Sequence, residues 1–327
     1  MSLERLSMSS RISFQNEPKL SEHEVDKTFN EKRVALAGQL ESFLVSHSRF
    51  QDKEVSVTFA HKGVSSLIAI IETLDEKLVL KIPLSRTYVA GEAQFLRVWE
   101  QAGVKVPHVI EDGVLDDHPF VLMEYIDAPT LTNAYTQEEM TAKGIYTEMG
   151  RTLRLMHTPE AEGYGRVVGG KAEFTKFSDW LYSPDIEERI AYVKEHNLLD
   201  EEQTSIQKAF EILQEHISEN PKSSYCHDDF GAANIFATTP ITVFDPNPRF
   251  HNGYLDLGRS MVSRLSHGVS PAPLIEGYFE GAPYNQRALH AAVMLNTYMK
   301  FPYWHKVKRT EQIQRMQEYF GKSGIVN

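Results

Sequence analysis

The sequence predicts an α+β protein of two lobes, an N-terminal antiparallel sheet with a helix and a larger, mostly helical C-terminal lobe. Two observations predict it. Short runs of β-branched and apolar residues, "EVSVTFA", "SSLIAIIET" and "KLVLKIP", crowd the first half, while past "DAPTL" apolar residues recur at helical spacing. A third feature fits neither pattern. In "SYCHDDFGAANIFATTPITVFDPNPRFHNGYLDLGRSM" the polar residues His227, Asp229, Asn234 and Asp245 are threaded through strand-like sequence. The expected divisions are a mobile tail over 1–22, a lobe over 23–126 and a second lobe over 127–327, with a hinge near 124–129 and a cleft beside it.

Taken in order, "SEHEVDKTFNEKRVALAGQLESFL" places Phe29, Val34, Leu36, Leu40, Phe43 and Leu44 on one helical face behind a Ser21-x-x-Glu24 capping box. The three β-rich runs follow, separated by "HKGV" and "LDEK", which read as turns of an antiparallel sheet. "GEAQFLRVWEQAG" is a helix stopped by Gly103, and "HPFVLMEYI" is a buried strand. Beyond it, "QEEMTAKGIYTEMGRTLRLMH" predicts one long amphipathic helix through Ile145, Met149, Leu153 and Met156. "FSDWLYSPDIEERIAYVKEHNLL" and "EEQTSIQKAFEILQEHI" read as helices too, and so does everything past Leu255.

Composition narrows the function classes. The 327 residues are 41% apolar and 24% charged, ample for a hydrophobic core and too apolar for general disorder. A net charge of −11 argues against nucleic acid or an anionic membrane as the main partner. The basic cluster Lys306, Lys308 and Arg309 reads as a solvated helix face in such a chain. A single cysteine, Cys226, allows no disulfide within the chain and suits a cytoplasmic protein. The first residues lack the apolar stretch of a signal peptide, and no run is long enough to span a membrane.

The polar residues point to phosphoryl transfer. "NIFATTPITVFD" reads as strand, turn, strand, so Asn234 and Asp245 should lie side by side. An amide oxygen beside a carboxylate is a donor pair suited to Mg²⁺, which takes one or two protein oxygens plus phosphates and water. Asp229, on the loop feeding that point, could accept or orient the proton of an acceptor hydroxyl. The N-terminal half then supplies a nucleotide site. Lys81 stands in the apolar strand "LVLKIP" and needs a partner, and Glu92 opens the next helix. Such a pair aims an ammonium at nucleotide phosphates. The turn "HKGVSS" would cover phosphates through backbone N–H groups, with Gly63, Ser65 and Ser66, while the backbone from Glu124 through Ile126 would face the adenine edge of ATP, or the guanine of GTP.

With these residues in place, the chain resembles the aminoglycoside phosphotransferase family, the small-molecule branch of the protein-kinase-like fold, from about residue 50 to the "LDLGR" segment. The resemblance implies that Asp229 is the catalytic aspartate, that Asn234 and Asp245 bind metal, and that Lys81 and Glu92 are the nucleotide lysine and its helix partner. "RTLRLMH", ending at His157, is similar to a family helix end, and Asp256 of "GYLDLGR" matches the aspartate that braces the catalytic loop. The implied activity is transfer of the γ-phosphate of ATP or GTP to a hydroxyl of a small molecule. An aminoglycoside or another amine-bearing, cationic compound is the obvious acceptor, and Asp185, Glu187, Glu188, Glu276 and Glu280 are acidic residues that could line its pocket.

Besides a somewhat short Asn234-to-Asp245 hairpin, the chain departs from the family pattern in two ways. Asp228 stands where relatives commonly have glycine, and its carboxylate would either repel phosphate or hold a cationic substrate. The phosphate turn is poor in glycine. Those departures support a rival reading, a catalytically silent nucleotide-binding module, against which stands the presence of Asp229, Asn234, Asp245 and Lys81 together. A kinase acting on protein fits less well, because about ten residues between Asp245 and Asp256 leave no room for a peptide-docking segment. His227 reads as a loop-fixing residue and Cys226 as core.

Overall fold

The computed structural model describes residues 11–20, 27–61, 65–84, 91–200, 205–219 and 221–323. The chain separates into two compact units, one of Met1–Arg97 with Pro107–Asp127 and the other of Val98–Val106 with Ala128–Asn327. Ser21 and Glu24 of the expected capping box, and Gly63 of the phosphate turn, lie outside the described residues.

In the first unit the elements run β1 (Ile12–Phe14), α1 (Lys27–Ser46), β2 (Val55–Phe59), β3 (Ser66–Glu72), β4 (Lys77–Pro83), α2 (Glu92–Gln101, whose last turn belongs to the second unit), β5 (Val109–Leu115) and β6 (His118–Glu124). Among the described residues, six strands form one sheet in the order β1-β2-β3-β4-β6-β5. All its pairings are antiparallel except β1 on β2, with Ile12 opposite Val55. Residues 12–14 fall in the stretch read from sequence as a tail; the alternation of buried Ile12 with exposed Ser13 lets them extend the sheet instead. Leu36, Leu40 and Leu44 of α1 pack with Val57, Leu67, Leu80 and Leu122 to make the core. Arg33 of α1 is fully buried, and its guanidinium donates to the carbonyls of Pro18, Ser66 and Ala60, so the charge is met by backbone dipoles.

The second unit contains α3 (Leu131–Ala134), α4 (Gln137–Ala142), α5 (Ile145–Met156), β7 (Glu160–Ala161), β8 (Tyr164–Val168), β9 (Lys171–Phe174), α6 (Phe177–Leu181), α7 (Pro184–Glu195) and α8 (Ile206–Glu219). After these come β10 (Ser223–Cys226), β11 (Ile235–Phe236), β12 (Thr242–Val243), β13 (Arg249–His251), α9 (Gly253–Leu265), α10 (Ala272–Phe279), α11 (Gln286–Lys306) and α12 (Thr310–Ser323). The single long helix expected over "QEEMTAKGIYTEMGRTLRLMH" is two helices. Gly144, at φ +67°, turns the chain between α4 and α5, a conformation that a residue with a Cβ adopts at a cost. The helix expected from Phe177 onward is likewise broken, at Ser183, where Pro184 begins α7.

A second sheet was not expected in this half. Its strands are short and run β7-β10-β13-β8-β9, with Gly169 and Gly170 at positive φ in the turn between β8 and β9. β11 and β12 pair as a separate two-stranded ribbon, Ile235 opposite Val243. No helix among the described residues is long and apolar enough to cross a membrane.

Helices α5 and α10 meet backbone to backbone. A Cβ at Gly277 would stand 2.0 Å from the carbonyl oxygen of Thr147, and one at Gly150 would stand 2.2 Å from that of Leu274. Neither neighbour is a side chain that could swing away. Gly277→Ala should therefore cost about 1–3 kcal/mol or more by overpacking. Thermal unfolding at neutral pH will read this as a fall of several degrees; an unchanged midpoint would show that the helices separate freely.

Candidate active site

The polar phrase of the second unit lies on the loop after β10. Asp256, buried in the first turn of α9, is its anchor. One carboxylate oxygen accepts from the backbone N–H of His227 (2.6 Å), the other from that of Asp228 (2.9 Å). His157, just past the end of α5, donates from Nε2 to the same carboxylate at 3.0 Å. The other ring nitrogen of His157 lies 2.9 Å from the hydroxyl of Tyr278, whose pKa burial pushes up, so it stays an O–H donor.

His157, Cys226 and Asp256 place their ligand atoms within 4.8 Å of one another. The carboxylate is nonetheless spent on protein N–H groups, and burial, with the nearby Asp256 and Asp228 charges, pushes the Cys226 thiol well up, away from the thiolate a metal needs. The cluster is a brace.

His227 continues the brace. Its Nε2 donates to the carbonyl of Phe244 at 3.0 Å and its Nδ1 accepts from the N–H of Asp229 at 3.3 Å, which fixes the tautomer. Its ring stacks on Trp99 at 5.8 Å, and the Trp99 indole N–H lies 3.2 Å from the carbonyls of both Met156 and Tyr225. Asp229 thus leaves the loop with its backbone held and its side chain more than half exposed. Asn234 donates from Nδ2 to the Asp229 carbonyl (2.9 Å) and to its Oδ2 (3.0 Å), which turns the Asn234 amide oxygen outward from that carboxylate.

Across the β11–β12 ribbon, the N–H of Phe244 donates to the carbonyl of Asn234 at 3.1 Å, so Asp245 follows directly on a residue bonded to Asn234. The amide oxygen of Asn234 and the Asp245 carboxylate are hard-oxygen donors, and the pinned amide orientation suits a Mg²⁺ ion.

Asp228 and Asp245 adopt φ of +54° and +56°. That backbone explains why a glycine suits position 228, since a side chain there costs on the order of 1 kcal/mol. The Asp228 carboxylate is held by the protein's own donors, Asn247 at 2.7 Å and Arg249 at 3.4 Å, with Arg259 at 3.9 Å. Burial by itself would raise its pKa, but Arg259 and Arg249, with His251 and Lys300, outweigh it and hold the carboxyl below its ordinary value.

Sequence reasoning missed Lys300. This residue of α11 brings its ammonium within 3.9 Å of Asp229 Oδ1. Burial and the nearby Arg259 lower its pKa to about 8 against the pull of Asp229. It stands far along the chain from the loop, inside a helix whose pattern reads as core, and no local motif marks it.

The first unit holds the other named residues. Lys81 Nζ lies 2.7 Å from Glu92 Oε2, with both side chains buried. Ser66 opens β3, is buried and stands opposite Pro83; Ser65 beside it is exposed, and its carbonyl accepts from Leu84 N–H. Glu124 ends β6, and its N–H is already given to the carbonyl of His108. Ile126, two residues on, is half-buried.

Three comparisons bear on this arrangement. A model of the phosphotransferase enzyme family matches residues 56–262. Comparison with the curated proteins finds no match. Among solved structures, aminoglycoside phosphotransferase APH(4)-Ia aligns with a TM-score of 0.60 at 14% identity, over 89% of this chain and 98% of that one. Spectinomycin phosphotransferase APH(9)-Ia, solved with ADP and spectinomycin, aligns with a TM-score of 0.51 at 13% identity, over 83% and 91%. Ethanolamine kinase of Plasmodium vivax aligns with a TM-score of 0.52 at 9% identity, over 92% and 90%. The fold is thus the kinase-like fold of the aminoglycoside phosphotransferases.

His251, in β13 behind Asp228, gives this region a pH dependence. Its ring lies 4.2 Å from that of Trp180, and its Nδ1 has no hydrogen-bond partner among the described residues. Burial lowers its pKa from 6.5 to about 4, despite the opposing Asp228 charge. The unfolded chain therefore binds the proton first as pH falls, and this share of stability is lost between about pH 6.5 and 4, some 3 kcal/mol at full extent. Urea midpoints at neutral pH and near pH 4 should show that loss in the wild type and a flatter dependence in His251→Phe. Equal slopes in the two proteins would refute it.

Proposed function

The chain belongs to the phosphotransferase enzyme family, and from that premise we propose that it transfers the γ-phosphate of ATP or GTP to a hydroxyl of a small molecule. The observation that carries the reading is the Asp229 carboxylate, presented on a braced loop and hydrogen-bonded to Asn234. Phosphoryl transfer asks little covalent work of a protein; it needs reactants aligned and charge neutralised.

In this reading Asp229 orients the acceptor hydroxyl and receives its proton. The acceptor oxygen forms its bond to the γ-phosphorus as the bond to the bridging oxygen breaks, and the nucleoside diphosphate leaves. Asn234 and Asp245 would hold Mg²⁺, which when bound neutralises phosphate charge. In the first unit Lys81, aimed by Glu92, would take the nucleotide phosphates. The base would read backbone groups past the Glu124 N–H, toward Ile126. The braced loop favours this reading over a silent module, because a module that binds without transferring has no use for a held general base.

The test is acceptor-stimulated nucleotide turnover with Mg²⁺, over a panel of small hydroxyl compounds, in wild type and Asp229→Ala. Stimulation by a hydroxyl compound is expected, with a loss of roughly a hundredfold or more in the variant and nucleotide binding retained. Lys81→Met should weaken nucleotide binding instead. A variant at position 229 as active as wild type would overturn the assignment of the base.

A further inference from the structure

Within the phosphotransferase reading, on which this inference rests, we propose that the acceptor is an anionic hydroxyl compound, whose carboxylate or phosphate is recognised by Lys300 beside Asp229. The reading expected from family resemblance, an amine-bearing acceptor, needs carboxylates free to receive ammonium groups, and the side chains around Asp229 offer the opposite charge.

Lys300 Nζ stands 3.9 Å from Asp229 Oδ1, beyond hydrogen-bond length, and among the described residues it makes no hydrogen bond. Its donors are therefore unspent at the point where an acceptor's reactive hydroxyl would sit. An ammonium on the acceptor would meet this like charge, and Arg259 and Arg309 act on Lys300 with the same sign. Arg249 of β13 lies directly opposite Arg166 of β8 in the strand register, an arrangement that disfavours both without an anion between or beside them. Asp228 answers Arg249. Arg166 is exposed and has no ion pair among the described residues.

Three of the carboxylates that could have received an amine, Asp228, Asp185 and Glu280, are engaged elsewhere. Asp228 is taken by Asn247, Arg249 and Arg259. Of the acidic residues of the helical half, Asp185 pairs with Arg189 at 3.2 Å, and Glu280 with Arg151 at 3.1 Å and Arg154 at 3.0 Å. Glu187, Glu188 and Glu276 are exposed on their helices. Lys300 is thus the cation beside Asp229 whose donors are unspent, and an oxyanion on the acceptor would take them.

The test uses a small-molecule extract separated by ion exchange into anionic, neutral and cationic pools. Each pool is incubated with the full chain, Mg²⁺ and γ-labelled ATP or GTP, in wild type, Lys300→Met and Lys300→Glu. Label is expected in the anionic pool of the wild type, and phosphatase treatment of that pool beforehand tells a phosphate-bearing acceptor from a carboxylate-bearing one. Lys300→Met should raise the acceptor KM roughly tenfold or more with the nucleotide KM unchanged, and Lys300→Glu should move label toward the cationic pool.

Transfer to a cationic or neutral acceptor in wild type, with the preference intact in Lys300→Glu, overturns the proposal and leaves the phosphotransferase reading standing. A changed nucleotide KM with an unchanged acceptor KM also overturns it, assigning Lys300 to the nucleotide's phosphates. Nucleotide binding without label in any pool would sink the phosphotransferase reading itself, and this inference with it.

Discussion

The candidate active site depends on one buried carboxylate. Asp256 takes the N–H groups of two successive loop residues and the imidazole of His157, and everything that matters chemically leaves the chain within a few residues of those bonds. A buried N–H left without an acceptor costs about 1–3 kcal/mol, so the loop has strong reason to keep this path and little to adopt another. The brace reaches further through His227, which links Asp229 on one side to Phe244 on the other. The Asp229 side chain and the Asp245 backbone are thereby referred to one fixed point. The first unit solves the same problem with a buried ion pair, in which the Lys81 ammonium is aimed by Glu92 at 2.7 Å.

What was legible in the sequence was local. The His227-to-Asp245 phrase could be read because its members fall within one loop and one short ribbon, and the Lys81–Glu92 pair because a lone lysine in an apolar strand demands a partner. The strands of the first unit announced themselves by alternation. The second sheet did not, since its strands run two to five residues and draw on Gly163, Gly165 and the Gly169–Gly170 turn, too little pattern for a period to show. The break at Gly144 was missed because the spacing that marks the helix, Ile145, Met149, Leu153 and Met156, lies wholly beyond it, and the short helix before it buries Met140 alone. Ser66 looked like a loop hydroxyl, yet it starts a strand and is buried.

Asp228 shows how a departure from a family pattern can be absorbed. A residue other than glycine in the left-handed region carries a backbone cost, and a buried carboxylate carries a desolvation cost. Arg249, Arg259 and Asn247 offset both, and they come from β13, α9 and the segment before β13, elements that also frame the loop. The carboxylate has thus become part of the scaffold. Its charge organises arginines that would otherwise repel one another, and it leaves no negative end for a ligand to find.

This division of labour limits how far family membership reaches. The matched segment, 56–262, contains the lysine–glutamate pair of the first unit and the braced loop and ribbon of the second. Lys300, on α11, lies outside it. A kinase-like chain can keep its phosphate chemistry constant while helices beyond the shared core change the charge presented to the acceptor. Aminoglycosides and ethanolamine are cationic, and their kinases share this fold at 9–14% identity. At that distance the likeness shows the fold alone, and in the proposed reading the side chains around Asp229 decide which acceptor can stay.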